Sequence, residues 1–352
     1  METLPGLPPI RHPRFFCIPR YFKHLDGLLY AISLLPVLVR LRRRFPFDVI
    51  DAQFDYPDGV GGVIIAKILR CPVIVTLRGS VVRLAGYPLH RPQIRWALRA
   101  ADRVISVSRS LKDTAMSIGV PGDQIRVISN GVDVARFFPM SRVETREALG
   151  LPLDRRIILS IGGLNEGKGH HHVIEILPSL LKNHPQLLYV IVGGGQPGNS
   201  YLPVLERMIR EARLESHVLL AGERTHDEIP RWMGAADLFC LATRSEGWSN
   251  VLLEALACGR PVVSTQVGGN AEIVTDDHLG LLVPYGNGPA LERALVDALG
   301  RRWEPEALVA HARRHSWDVT ADQVFEEVVR LVPDPSLRAE VETFQGPAGR
   351  PR

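Results

Sequence analysis

"RSEGWSNVLLEALACGRPVVSTQVGGNAEIV" (residues 244–274) sets two carboxylates eight positions apart across the start of a helix. Val251, Leu252, Ala255 and Leu256 recur with helical spacing. Ser249 or Asn250 suits the N-cap, and Gly259 followed by Pro261 ends the helix. Glu246 then lies in the loop and Glu254 in the second turn. Gly247 and the first N–H groups, near Ser249, Asn250 and Val251, form an anion site at the positive end of the helix. Carboxylates on either side accept hydrogen bonds from hydroxyls. The stretch reads as a site for phosphate flanked by polyols, which describes a sugar nucleotide. Solvated helix charges are the simpler alternative.

Upstream, "SIGGLNEGKGHHH" (160–172) follows an apolar run and precedes a helix. Gly162 to Lys168 matches a Walker A loop, but Gly169 stands where that loop needs a magnesium-binding hydroxyl. The strand, glycine turn and Lys168 still suit a phosphate. A plain strand-to-helix turn with a solvated lysine is the competing reading. His170, His171 and His172 project about 100° apart on a helix, so the three cannot converge on one metal ion. "GGGQPG" (193–198) matches a dinucleotide fingerprint. Pro197 and Asn199-Ser200 delay the helix, and no acidic residue ends a strand about 20 residues on.

Short apolar runs alternate with helical segments along the chain. Expected strands are 48–54, 72–78, 103–108 and 125–129, then 156–162, 187–194, 217–222, 237–242 and 261–265. This alternation predicts two doubly wound, Rossmann-like α/β domains with parallel sheets covered on both faces. The expected limits are 1–140 for an N-terminal acceptor-side domain and 141–316 for a sugar-nucleotide-binding domain. A closing amphipathic helix is expected at 317–332 and a disordered tail at 333–352.

The chain has 352 residues, more than one typical core needs. Residues 1–140 carry 20 Lys and Arg against 10 Asp and Glu, and residues 141–352 carry 22 against 28. The basic half suits an anionic membrane surface or an anionic acceptor. The apolar stretch 27–39 has 13 residues and a proline, short of the roughly 20 needed to span a bilayer. An interfacial helix and a helix packed on a sheet, with arginines at its C-terminal end, are both open. Cys17, Cys71, Cys240 and Cys258 lack metal spacing and read as free thiols in a reducing cytosol. The N-terminus lacks a signal-peptide pattern.

The E-x7-E block closely resembles the donor motif of retaining glycosyltransferases of family 4, which have the GT-B fold. "NGVDVARFFP" (130–139), "GGLNEGKG" (162–169), "AADLFCLATRSEG" (235–247) and "VGGNAEIV" (267–274) share the resemblance. "DVIDAQFDYPDGVGG" (48–62) resembles the acceptor half of members that assemble cell-surface polysaccharides. The resemblance implies that Glu246 contacts the donor sugar and Glu254 the nucleotide ribose. It assigns the diphosphate to backbone groups from Gly247 through Trp248, Ser249 and Asn250 to Val251. Lys168 neutralises the leaving diphosphate, with Gly163 and Asn165 in the same donor loop. Transfer goes to a glycan or lipid-linked acceptor hydroxyl with retention. It needs neither metal nor resident cofactor and involves no nucleic acid. The protein is expected in the cytoplasm, peripheral on the inner face of the membrane.

The sequence departs from the family at two positions. Gly163 stands where many members have an arginine, for which Arg224 or Arg244 is a candidate substitute. Arg78 stands where many have a histidine. Such an acceptor domain normally opens with a strand, a glycine-rich loop and a helix, and "METLPGLPPIRHPRFF" offers none. The N-terminal domain is therefore expected to lack that unit, to expose a sheet edge, and to transfer weakly. Alternatives are a nucleotide-sugar-binding protein without turnover, a sugar-nucleotide epimerase, and an NAD-dependent oxidoreductase using Gly193–Gly198.

Overall fold

The computed structural model describes residues 10–19, 21–195 and 200–332. The expected tail, 333–352, and the start of the opening segment lie outside these. The chain divides into two compact units, Met1–Ile128 with Asp322–Arg352, and Ser129–Ala321.

The first unit holds a four-stranded parallel sheet: β1 (Ile50–Ala52), β2 (Val73–Leu77), β3 (Arg103–Ser106) and β4 (Ile125–Val127), in that order. All strands step one way, so right-handed crossovers place the connecting helices on one face. The sheet's other face carries Ile74, Ile105 and Ile128, covered by Val324, Val328 and Leu331 of the last helix, Trp317–Leu331. Glu327 of that helix is buried and pairs with Arg103 at 2.9 Å and Arg330 at 2.7 Å. The expected closing helix thus completes the first sheet from residue 322 onward.

Among the described residues, the first regular helix of this unit is Asp26–Arg44. Ala31 and Leu34 pack on Ile65 of the helix Val60–Leu69, while Leu28 and Ile32 stay exposed. Ile50, the first residue of β1, packs against the same cluster, so the helix Asp26–Arg44 is covered by both the helix Val60–Leu69 and the sheet edge. The three arginines of its last turn, Arg42–Arg44, complement the negative helix end. Reckoned over Lys23–Arg44 instead of its 13-residue apolar stretch, this segment is long and apolar enough to cross a membrane by length and composition.

The second unit begins earlier than residue 141. Val132 N–H donates to His315 O at 2.8 Å, Trp317 N–H donates to Val132 O at 3.3 Å, and Asn130 Nδ2 donates to Asn250 Oδ1 at 3.1 Å. These bonds tie 129–140 to the C-terminal sheet domain, so the division falls after Ile128. A side chain at Gly131 would meet Trp317 N at 2.4 Å, which explains the glycine there.

The sheet of this unit is β5 (Arg156–Ile161), β6 (Leu187–Val192), β7 (Val218–Gly222), β8 (Leu238–Leu241), β9 (Val262–Thr265) and β10 (Gly280–Val283). The order is β10-β9-β8-β5-β6-β7, all parallel. The chain steps outward from β5 to β7, then returns to build β8 to β10 on the other side. β10, GLLV, is a strand that the reading by apolar runs did not include. The core joins β5, β6 and β8 to the helices His170–Asn183, Leu202–Glu211 and Gly288–Gly300 through Val173, Leu177, Leu205 and Leu295. Each such buried side chain stabilises the fold by roughly 1.5–3 kcal/mol. Tyr189 is fully buried, with its hydroxyl donating to Ser160 Oγ at 2.9 Å.

Candidate donor site at the switch point

The reversal between β5 and β8 is the topological switch point, where open α/β sheets bind ligands beyond the carboxyl ends of their strands. Two loops leave the sheet there, 162–169 after β5 and 242–249 after β8. They carry the two groups singled out in the sequence. Lys168 Nζ meets Glu246 Oε1 at 2.6 Å, with side chains 31% and 13% exposed.

Glycines let these loops meet. Gly169 adopts φ 73°, and a Cβ there would stand 1.9 Å from Ala242 O. Gly268 adopts φ 50°, and a Cβ there would stand 1.7 Å from Glu246 O. Arg244 N–H and Thr243 Oγ1 both donate to Gly167 O, at 2.8 and 3.0 Å. Asn165 accepts the Lys168 N–H at 3.2 Å, so its side chain holds the lysine turn. At Gly163 an added Cβ would find only Asn165 Nδ2 at 3.4 Å and Gly194 O at 3.9 Å. The loop therefore has room at the position where the resemblance leads one to expect arginine. Of the two candidate substitutes, Arg224 stacks over Trp232 at 5.5 Å and donates to Ala221 O in β7. Arg244 is bound through its backbone to the lysine loop and is the better placed.

The helix Asn250–Ala257 starts beside Glu246 with no side-chain cap. Ser249 occupies the cap position, but its hydroxyl donates to Asn270 Oδ1 at 2.5 Å, and the Asn250 side chain accepts from Asn130. Neither closes the helix start, contrary to the capping expected of them. Asn270 is fully buried and also donates to Ser264 Oγ and Thr265 O, each at 3.0 Å. Thr265 Oγ1 donates to Thr243 O at 2.5 Å. This closed network fixes the loop before the helix to the ends of β8 and β9. Asn130 and Asn270 carried no role in the sequence reading, although both stand in quoted motifs.

The Trp248 side chain is buried beside His315, with ring centroids 6.1 Å apart. Trp248 thus offers the site backbone only. Glu254 is largely buried, and burial pushes its carboxyl up to about 7 against the pull of Arg136. Arg136 itself is held by Asp227 at 3.2 Å. His170 is buried beneath Gly162 and Gly163, and burial lowers its ring to about 4, so it is neutral. His171 stacks on His172 at 4.0 Å, and His172 lies 3.2 Å from Glu175. Among the described residues no group of three or more His, Cys, Asp or Glu side chains is placed to hold a metal.

The dinucleotide reading fares poorly on topology. Gly193–Gly195 follow β6, one strand away from the switch point, and a Cβ at Gly193 would stand 1.9 Å from Gly162 O. Gln196, Pro197, Gly198 and Asn199 lie outside the described residues.

In the first unit, Arg78 Nε donates to Gln53 Oε1 at 2.9 Å and Gln53 donates to Asp51 of β1 at 2.5 Å, near the carboxyl ends of β1 and β2. Asp55 is fully buried, accepts from Ser80, and is pushed up to about 6 by burial.

Comparison with known proteins identifies relatives of both units. Residues 141–315 match the family "Glycosyl transferases group 1", and residues 4–136 match "Glycosyltransferase Family 4". A teichuronic acid biosynthesis glycosyltransferase, TuaC of Bacillus subtilis, is 28% identical over 309 residues, 85% of this chain and 73% of its own. A D-inositol 3-phosphate glycosyltransferase of Acidothermus cellulolyticus is 33% identical over 64% of this chain and 52% of its own. The chain thus spans about half the length of that relative. Among solved structures, Anabaena HepE in complex with UDP superposes with TM-score 0.74 at 24% identity, over 84% of this chain and 81% of its own. Sucrose-phosphate synthase of Thermosynechococcus elongatus gives 0.76 at 23% identity, over 93% and 86%. The two parallel-sheet α/β units, with a family 4 domain followed by a group 1 domain, make this chain a member of the GT-B glycosyltransferases.

Proposed function

We propose that the protein transfers a sugar from a nucleoside-diphosphate sugar to an acceptor hydroxyl with retention at the anomeric carbon. The observation that carries this reading is the Lys168–Glu246 pair at the switch point, beside an uncapped helix start and with Glu254 one turn on. Relatives carry the names of a teichuronic acid biosynthesis glycosyltransferase and a D-inositol 3-phosphate glycosyltransferase, and HepE is known in complex with UDP-glucose, which supports a nucleotide-sugar donor.

Charge dictates the division of labour. Breaking the sugar–diphosphate bond leaves positive charge on the ring and negative charge on the departing phosphate. Lys168 and the N–H groups of Asn250 and Val251 stabilise the phosphate. Glu246 accepts hydrogen bonds from the sugar hydroxyls, giving up Lys168 to the diphosphate. Glu254 accepts from the ribose in its ionised form. The departing phosphate oxygen takes the acceptor proton, so no step requires a metal or cofactor.

The acceptor is a glycan or lipid-linked glycan at an anionic membrane surface, on the cytoplasmic side. Exposed Phe15, Phe16, Tyr21, Phe22, Leu28 and Ile32 stand near Arg11, Arg14 and Lys23, a mixture that suits a headgroup layer.

The test is incubation with a panel of UDP-, GDP- and ADP-sugars and a lipid-linked acceptor, followed by NMR of the product linkage. Transfer with the donor's anomeric configuration supports the reading. Inversion refutes retention. Interconversion of the donor without acceptor points to an epimerase instead.

A further inference from the structure

At the opposite end of the second sheet, where β5, β8 and β9 begin, a cavity of about 170 Å³ is lined by Arg142, Arg156, Arg260 and Arg301, with Asp237 and Trp303. Its charges do not balance. Asp237 receives Arg142 and Arg146, each at 2.7 Å, and Arg156 at 3.7 Å. Three arginines therefore share one carboxylate. Arg260 is only 7% exposed, and among the described residues no carboxylate pairs with it. Its Nη2 donates to Met140 O at 3.3 Å, and its Nε is buried without a partner. Arg301 is occupied by Asp277 at 3.4 Å and by the Trp303 ring at 5.2 Å, so it walls the cavity.

A buried guanidinium without a counter-ion is unfavourable, because its charge has left water with no replacement. An ion network made only to pin the helix Arg142–Leu149 needs Arg146 and Asp237; it does not need Arg260 and Arg156 facing the same space. The excess charge calls for an anion with several oxygens, and arginine forks match tetrahedral oxyanions.

We propose that this cavity is a second anion site, which takes a phosphate group on Arg142, Arg156 and Arg260. It is separate from the donor site. Parallel strands put all their first residues at one end, and the six residues of β5 place about 20 Å between the two ends. The site does not depend on the transfer reading, and nothing in it requires a sugar or a nucleoside.

Calorimetric titration of the full chain with inorganic phosphate, at fixed ionic strength and neutral pH, tests this. Wild type and Lys168→Ala should both bind one phosphate at this site. Arg142→Gln/Arg156→Gln should weaken it about tenfold or more, the loss expected of charge-assisted bonds. Arg156→Gln alone should show a smaller loss; its side chain is 60% exposed, so folding survives its removal. Thermal melts of each variant confirm the fold. The proposal is overturned if phosphate fails to bind, if binding vanishes in Lys168→Ala, or if the arginine variants bind as wild type. Equal displacement by chloride at the same ionic strength, or binding to anionic vesicles but not to free phosphate, overturns it as well.

Discussion

Replacing Lys168 with alanine probes the contact between the two loops of the site. A unit charge about 4 Å from the charge developing on the phosphate contributes roughly 4 kcal/mol at an effective dielectric of 20. Lys168 is one-third exposed, so solvent trims that figure. A loss of about 2.7–4 kcal/mol corresponds to 10²- to 10³-fold in turnover. A second consequence follows from the 2.6 Å pair with Glu246. Removing the lysine leaves Glu246 as an unpaired negative charge facing the diphosphate. Lys168→Ala should therefore weaken nucleoside diphosphate binding, and Lys168→Ala/Glu246→Gln should recover part of the affinity while turnover stays low. Glu246→Gln alone should bind the nucleoside diphosphate more tightly than wild type, because Lys168 is released, yet transfer slowly. Steady-state rates with the donor found in the panel, and calorimetry with its nucleoside diphosphate, measure both quantities. Turnover of Lys168→Ala within about threefold of wild type would refute the reasoning.

Glu254, with its carboxyl raised to about 7, binds ribose as the anion, so nucleotide affinity should rise as pH rises to about 7 and level off above. Glu254→Gln should flatten that profile and weaken binding; an unchanged affinity sinks the ribose role. The same shift has a stability sign. The folded state holds this proton between the ordinary carboxylate range and 7, so stability falls as pH rises through that window. Glu254→Gln should thus melt higher than wild type above neutrality, with the gap closing toward acid pH. Asn270→Ala breaks a buried network and should lower the melting temperature as well as nucleoside diphosphate affinity, whereas affinity for the bare nucleoside should hold; equal losses for both would mean a purely structural role. Binding to anionic liposomes should fall as salt rises, and equal binding to neutral vesicles would exclude the proposed membrane surface.

Much of the donor half was legible because its signals are local. β5 to β9 are short apolar runs, and Gly259 and Pro261 mark a helix end by backbone chemistry alone. Glu246 and Lys168 lie 78 residues apart in the chain, and the sequence offers no sign that they touch. That contact follows from strand order, which puts β8 beside β5. Asn270 was illegible for the same reason: only the fold reveals that its amide joins β9 to Ser249. The capping expected of Ser249 failed because a tertiary partner competed for its hydroxyl. In the first unit, strand runs were readable but their sequential order was not, and neither was the use of Val324, Val328 and Leu331 to cover the sheet. The division at residue 128 rests on backbone bonds from Val132 to His315 and Trp317, which leave no pattern in composition.

The most direct test of the account is calorimetric titration of wild type and Lys168→Ala with UDP, GDP and ADP, each beside its parent nucleoside. The account predicts that one nucleoside diphosphate binds wild type at least tenfold more tightly than its nucleoside does, about 1.4 kcal/mol or more for the diphosphate. It also predicts that Lys168→Ala loses most of this advantage. Binding of diphosphate and nucleoside with equal affinity, or an advantage that survives in Lys168→Ala, would contradict it.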